Sequence, residues 1–325
     1  MWRRLLLDDD ALRMKQASGR KETRGEGGEQ GLPLTSCIPP RPDPEVLREV
    51  VSFLCTRMPH RNGEHPKVLD DCARYVQSCF QSCSQRTGFQ EFSVGGHSYR
   101  NVTCSFGERQ APRIVVGAHY DVFGEQPGAD DNASGVAGLV ALARLLADFP
   151  PDEGRRIDLV AYPLEEPPYF RTGCMGSAVH ARDLAVRRVP VKAMLCLEMI
   201  GYYSENQGSQ SYPLPFMKLR YPDRANFIAV VGRLGQNNLA KRVAVLMTPA
   251  CAVDIQHLSA PSVLPGIDLS DHLNYWACGY PAVMITDTAF FRNPHYHQPS
   301  DRPETLDYEA MSEVSRGVWR AVLNL

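Results

Sequence analysis

His119 and Asp121 close the β-branched run Ile114–Asp121, and Asp130-Asp131-Asn132-Ala133-Ser134-Gly135 follows after a short turn. An imidazole and several carboxylates gathered at neighbouring chain ends are how a zinc site is built, because histidine nitrogen and carboxylate oxygen are ligands that metal accepts. More donors stand at the ends of later apolar runs: Glu165-Glu166 after Ile157, Glu198 within Ala193–Gly201, and His295-Tyr296-His297 on a loop near the C-terminus. Two imidazoles and four or five carboxylates at one rim repel strongly without cations, so metal ions are the simplest neutraliser. Such a centre serves hydrolysis, in which the metal polarises a carbonyl and lowers the pKa of water toward about 7.

The elements that must position these residues read as an alternation. The runs Ile114–Asp121, Ile157–Glu166, Ala193–Gly201 and Ala282–Thr288, with Ala225–Gly232 as a fifth, alternate with helices. That pattern predicts an α/β fold: a three-layer α/β/α sandwich around a mixed, mostly parallel central sheet. Parallel strands gather ligands at their C-terminal edges, which is where the donors fall. A helix is expected from Asp43, with Pro44 in its first turn, and a second over about Pro66–Cys83. The helix opening near Ser134 carries only Arg144 and Asp148 as charges, so it is expected to be buried nearly all round and to anchor the donor loop. Asp301 and Glu304, spaced as a capping box, place the start of the last helix, whose stripe from Leu306 to Leu325 is core packing. Tyr203–Arg224 and Cys251–Leu269 read as long irregular stretches that shape the substrate pocket.

Composition narrows the function. The chain has 325 residues, 43% of them hydrophobic, enough for a substantial core. Its formal net charge of −2 and lack of a basic stripe exclude a sequence-independent hold on nucleic acid. The ten cysteines read as small buried hydrophobes, and without a C-x-x-C pair they offer no cysteine zinc cluster. Residues 1–40 read as a disordered tail and 41–325 as one catalytic domain. No apolar run reaches the roughly 18 residues of a membrane span, so no membrane partner and a cytoplasmic location are expected, unless an upstream start hides an export signal. Oligomeric state leaves no mark on the sequence.

Six motifs in order resemble the zinc-dependent peptidases related to bacterial aminopeptidases, the M28 group: H-x-D at 119–121, D-N-A-S-G at 131–135, E-E at 165–166, L-E-M-I-G-Y at 197–202, S-D-H at 270–272 and Y-H-x-x-x-D at 296–301. The resemblance covers about Asp43–Leu325. It implies two Zn2+ ions bridged by Asp131, with His119 and Glu198 completing one ion and Glu166 and His297 the other, and peptides as substrates. It further implies that Glu165 is the general base and that Tyr296 donates its hydroxyl to the developing oxyanion. Asp121, two residues from His119 and on the same strand face, is expected to fix the imidazole tautomer. Asp271 and His272 are placed around the ligands, His272 either lining the site or simply following a helix cap at Asp271. Two departures stand out. Glu198 replaces the aspartate common among relatives, and Pro167–Gly173 is longer and richer in proline than the family pattern.

The activity implied is release of N-terminal residues from peptides. One rival on the same fold is a single-zinc glutaminyl cyclase, although relatives there tend to carry D-S-A-V-P where this chain keeps Asn132 and Ser134-Gly135. The other is a non-catalytic scaffold, but every ligand position bears a residue able to bind metal. Among the remaining histidines, His60, His65, His97 and His180 read as surface residues, while His257 and His295 carry no assignment. Arg292 reads either as a partner for a substrate carboxylate or as half of a structural salt bridge.

Overall fold

The computed structural model of the protein describes residues 38–325. The tail expected over residues 1–40 therefore falls almost wholly outside the described residues. In chain order the elements are α1 (Pro44–Arg57), α2 (Pro66–Gln81), β1 (Thr87–Val94), β2 (His97–Gly107), β3 (Arg113–His119), α3 (Gly135–Asp148), β4 (Arg156–Tyr162) and α4 (Gly176–Val186), followed by β5 (Val191–Glu198), β6 (Phe227–Arg233), α5 (Leu239–Met247), β7 (Asp254–Ala260), α6 (His272–Ala277), β8 (Ala282–Thr286) and α7 (Tyr308–Asn324).

The strands form one sheet in the order β1-β2-β4-β3-β5-β8-β6-β7. The centre, β4-β3-β5-β8, is parallel; the β1–β2 hairpin joins β4 antiparallel, and the parallel pair β6–β7 meets β8 antiparallel. Side-chain alternation splits the sheet between two apolar clusters. Ile114, Val116 and Ala118 of β3 pack with α1, α2, α3, α5 and α7 on one face, whereas Val115 packs with α4 and α6 on the other. The three-layer sandwich with a mixed sheet is thus the observed fold. Among the described residues no helix is long and apolar enough to cross a membrane.

α3 is buried along its whole length apart from Arg144 and its last residues, as its composition implies. It begins at Gly135 because the space there is already taken: a Cβ would lie 2.4 Å from Asn132 Oδ1 and 2.7 Å from the Leu197 carbonyl oxygen. Gly135→Ala should therefore destabilise the protein by about 1–3 kcal/mol, the usual cost of overpacking. Urea denaturation would show this as a lower midpoint at unchanged slope, and an unchanged midpoint would mean that the contact relaxes freely.

Several sequence expectations need correction. α7 begins at Tyr308, capped by the Asp307 carboxylate, which accepts from Ala310 N at 2.9 Å; Asp301 is drawn away to other amides described below. The stretch Cys251–Leu269 is not wholly irregular, because β7 lies within it as a half-exposed edge strand. His180 is not a surface residue. It is 6% exposed, its Nδ1 lies 2.6 Å from the Tyr275 hydroxyl, and burial lowers its pKa to about 4.

Candidate metal centre

β3 and β5 run parallel with Val115 opposite Met194 and Gly117 opposite Cys196, so one more step of two residues brings His119 and Glu198 to the same level and the same face. His119 Nε2 lies 3.4 Å from Glu198 Oε2 and 3.4 Å from Asp131 Oδ1. The other oxygen of Asp131 faces a second group: His297 Nε2 is 3.1 Å from Asp131 Oδ2 and 3.4 Å from Glu166 Oε1. Glu165 Oε2 stands farther out, 3.9 Å from His119 Nε2, although His119, Glu165 and Glu166 also converge closely enough to be counted as a donor group.

Adjacent strand residues normally point apart. Glu165 and Glu166 both enter the site because β4 has ended and Leu164 turns the chain with φ of +63°. Asp121 holds that turn, its two carboxylate oxygens accepting from Glu165 N at 3.1 Å and Glu166 N at 3.0 Å. The Asp121 carbonyl also lies 3.2 Å from His119 Nδ1, with its carboxylate at 3.5 Å, so the proton sits on Nδ1 and leaves Nε2 as the ligating nitrogen. Asp301 repeats the device on the opposite side, accepting from Asp130 N at 2.9 Å and Asp131 N at 3.1 Å. Since Asp301 follows His297 on one loop, it ties that loop to the one carrying Asp131.

Further supports come from residues that sequence reasoning missed. The buried Arg61 donates to the carbonyls of Tyr120, Pro127 and Gly128 and so clamps the chain between β3 and Asp131. Asn132 donates to the Leu197 carbonyl and accepts from Gly135 N and Met199 N, joining the β5 edge to the start of α3. Ser270 donates to Glu198 Oε2 at 2.5 Å, which anchors the longer side chain in line with His119. His297 is stacked between Phe123, 4.2 Å away, and Tyr296, 3.8 Å away. Met199 and His297 have φ of +50° and +55°, so the backbone is strained at the residue after Glu198 and at His297 itself, as it is before Glu165.

His272 does not reach the ligands; its Nε2 is 2.7 Å from the Ile267 carbonyl, and its ring meets Trp276 edge-on. Asp271 is fully buried and close enough to His119 and Glu198 for their charges to act on it, with burial the main reason that its pKa is pushed up to about 7. It makes no side-chain cap to α6. Arg292 is committed internally, donating to Gln210 Oε1 at 2.9 Å and to the Phe227 carbonyl at 2.8 Å.

The electrostatics ask for cations. Burial pushes Glu165 well above the ordinary carboxylate range, with His119 opposing and Glu166 and Glu198 adding to it. Burial and the Asp131 charge raise Glu166 to about 7. Burial also opposes ionisation of Asp131, yet His119 and His297 hold its carboxyl below the usual range. Glu166 Oε1 is buried without a hydrogen-bond partner. The donor spacings of 3.1–3.4 Å match the edge of a tetrahedron whose metal–ligand distances are about 2.0–2.1 Å. The residues present therefore fit a metal in both groups.

Beside the centre opens a cleft on the α4–α6 face of the sheet, lined by Glu198 and Tyr296 and by residues of both Tyr203–Arg224 and Cys251–Leu269.

Residues 101–322 match Peptidase family M28. Over 303 residues the chain is 43% identical to the uncharacterized protein YfbL of Escherichia coli, covering 90% of this chain and 92% of YfbL. It is 26% identical over 262 residues to leucine aminopeptidase 1 of Trichophyton rubrum, covering 75% of this chain and 64% of that one, so it spans just under two thirds of that relative's length. Among solved structures, the LapA aminopeptidase of Legionella pneumophila shares the fold with a TM-score of 0.67 at 21% identity, covering 87% of this chain and 72% of LapA. A Bacteroides thetaiotaomicron glutaminyl cyclase shares it with a TM-score of 0.66 at 19% identity, covering 88% of this chain and 99% of the cyclase. With most of its length, including every donor of the centre, inside the matched region, this chain belongs to Peptidase family M28.

Proposed function

We propose that the protein is a zinc aminopeptidase that holds two metal ions and removes N-terminal residues from peptides. The observation that carries this reading is the placement of Asp131, whose two oxygens face separate donor groups at tetrahedral spacing. His119 and Glu198 would hold one ion with Asp131, and Glu166 and His297 the other. Zinc there supplies Lewis acidity, polarising the scissile carbonyl and making water nucleophilic at neutral pH.

The chain's own groups do the rest. Glu165 stands 3.9 Å from His119 Nε2, farther than either Asp131 or Glu198, and so remains free to accept a proton from the attacking water and return it to the leaving amine. Tyr296, stacked on His297 at the cleft wall, offers its hydroxyl to the developing oxyanion. Asp121 and Asp301 keep these groups in register through the backbone amides they engage.

The test is mass spectrometry of the zinc-loaded protein acting on matched free and N-acetylated peptides, some beginning with glutamine. Stepwise loss of single residues from free peptides alone is the expected result. Loss of ammonia from the glutamine peptides would make the protein a cyclase, and equal attack on acetylated peptides would rule out an aminopeptidase.

A further inference from the structure

Glu166 is followed at once by Pro167–Gly173, and two successive turns keep that segment beside the metal centre: Tyr169 N donates to the Glu166 carbonyl at 3.0 Å and Thr172 N to the Tyr169 carbonyl at 2.9 Å. Each such turn brings its first and last Cα within about 7 Å. Tyr169 anchors the segment by packing on the larger apolar cluster. Arg171, with φ of +59°, then reaches across to Asp268, its Nη2 2.8 Å from Oδ1 and 3.5 Å from the carbonyl. Asp268 stands between Ile267 and Leu269, which line the cleft, and two residues before Ser270, which donates to Glu198. The ion pair therefore ties the strip leading away from one ligand, Glu166, to the strip leading into another, Glu198. Glu165 lies between the two strips, where the charges of Glu166, Glu198 and Asp271 all act on it.

Arg171 keeps donors free. Asp268 engages Nη2, while Nε and Nη1 have no hydrogen-bond partner among the described residues, and the side chain is 52% exposed. By contrast Arg61 and Arg292 are buried and donate to main-chain carbonyls and Gln210.

We propose that Arg171 binds the free carboxylate of the residue that leaves as the amine, so that the protein prefers dipeptides. The inference rests on the aminopeptidase reading above, in which Glu165 returns its proton to the leaving amine. The leaving residue then lies against Glu165, on the side that Arg171 and Asp268 wall. A guanidinium matches a carboxylate in charge and in fork geometry. Asp268 fixes one arm of that fork before a substrate arrives, which lessens the ordering that binding costs. Length discriminates as well: in a dipeptide the carboxylate trails the leaving nitrogen by a single residue, and each further residue can carry it about 3.3–3.6 Å onward, past a side chain tethered at its tip.

The experiment compares kcat/KM of the zinc-loaded protein for a dipeptide, its C-terminal amide and the tripeptide one residue longer, in sets that share their first two residues and differ from set to set in the first. Within each set that is cleaved, the free dipeptide should exceed both others by at least about 10-fold, the effect of a hydrogen bond to a charged group. An amide or a tripeptide cleaved as well as the dipeptide overturns the proposal, and it does so without any variant. Arg171→Gln should lower the dipeptide value by about 10-fold or more, chiefly through KM, and leave that of the amide unchanged. Equal loss on both substrates would reduce Arg171 to half of a structural ion pair and overturn the proposal too. If no peptide of any set is cleaved, the aminopeptidase reading falls by itself, and calorimetric titration with the same dipeptides and amides decides the carboxylate site. The free dipeptide should then bind at least about 10-fold tighter than its amide and lose that advantage in Arg171→Gln; equal binding of the two to the parent protein overturns the site.

Discussion

Glu165→Gln should leave the metal content of the protein unchanged and lower kcat by about 10²–10⁴-fold, the contribution of a positioned general base. The substitution keeps the length and shape of the side chain and removes only its ability to take up a proton. Metal content should survive because the shortest donor contacts, those of His119, Asp131, Glu166, Glu198 and His297, do not involve Glu165. The main-chain geometry should survive as well, because Asp121 holds residue 165 by its amide and not by its side chain. The measurement is a steady-state assay beside elemental analysis of the same preparation. Turnover near that of the parent protein would remove Glu165 as the base, and loss of metal would place Glu165 among the ligands, as its convergence with His119 and Glu166 allows.

What the sequence makes legible here is the set of groups that a strand edge delivers. His119, Glu165-Glu166 and Glu198 stand at the C-terminal ends of β3, β4 and β5, and the β-branched runs that mark those strands are visible without coordinates. The supports are less visible. Asp121 and Asp301 act through pairs of consecutive amides, and Arg61 through carbonyls, so the partners in each case are main-chain groups that leave no trace in residue type. A carboxylate before a predicted helix has two possible employments, and Asp301 serves the metal loop while Asp307 caps α7. Phe123 stacks on His297 across a fold contact that no local spacing encodes.

The edge strands that sequence reasoning missed share a cause as well. The β1–β2 hairpin turns on Gly95-Gly96, both with positive φ, which is a strong hairpin signal, but its strands mix Gln90, Glu91 and Ser93 with the apolar residues because it lies at a half-solvated edge. β7, at the other edge, carries Asp254, Gln256 and His257 for the same reason. His180 was hidden differently. Arg182 and Asp183 follow it closely in sequence, but its partner in space is Tyr275, ninety-five positions away, whose hydroxyl also meets that of Tyr162 at 2.7 Å.

Asp131→Asn should cost at least one of the two metal positions and lower turnover by more than about 10²-fold, because one side chain contributes an oxygen to each donor group. An amide presents a single oxygen and, on its other side, an NH2 that cannot ligate, so at best one group keeps its third ligand. The charge argument points the same way. Removing the carboxylate leaves His119 and His297 without the group that draws them together from opposite sides, and deprives each cation of a shared negative partner. The Asn132 side chain would still tie the loop to the Leu197 carbonyl and Asp301 would still accept from the residue 131 amide, so the fold should melt close to the parent temperature when both proteins are stripped of metal. That comparison separates loss of ligation from loss of structure. Two tightly bound zinc ions in the variant would refute the bridging role of Asp131.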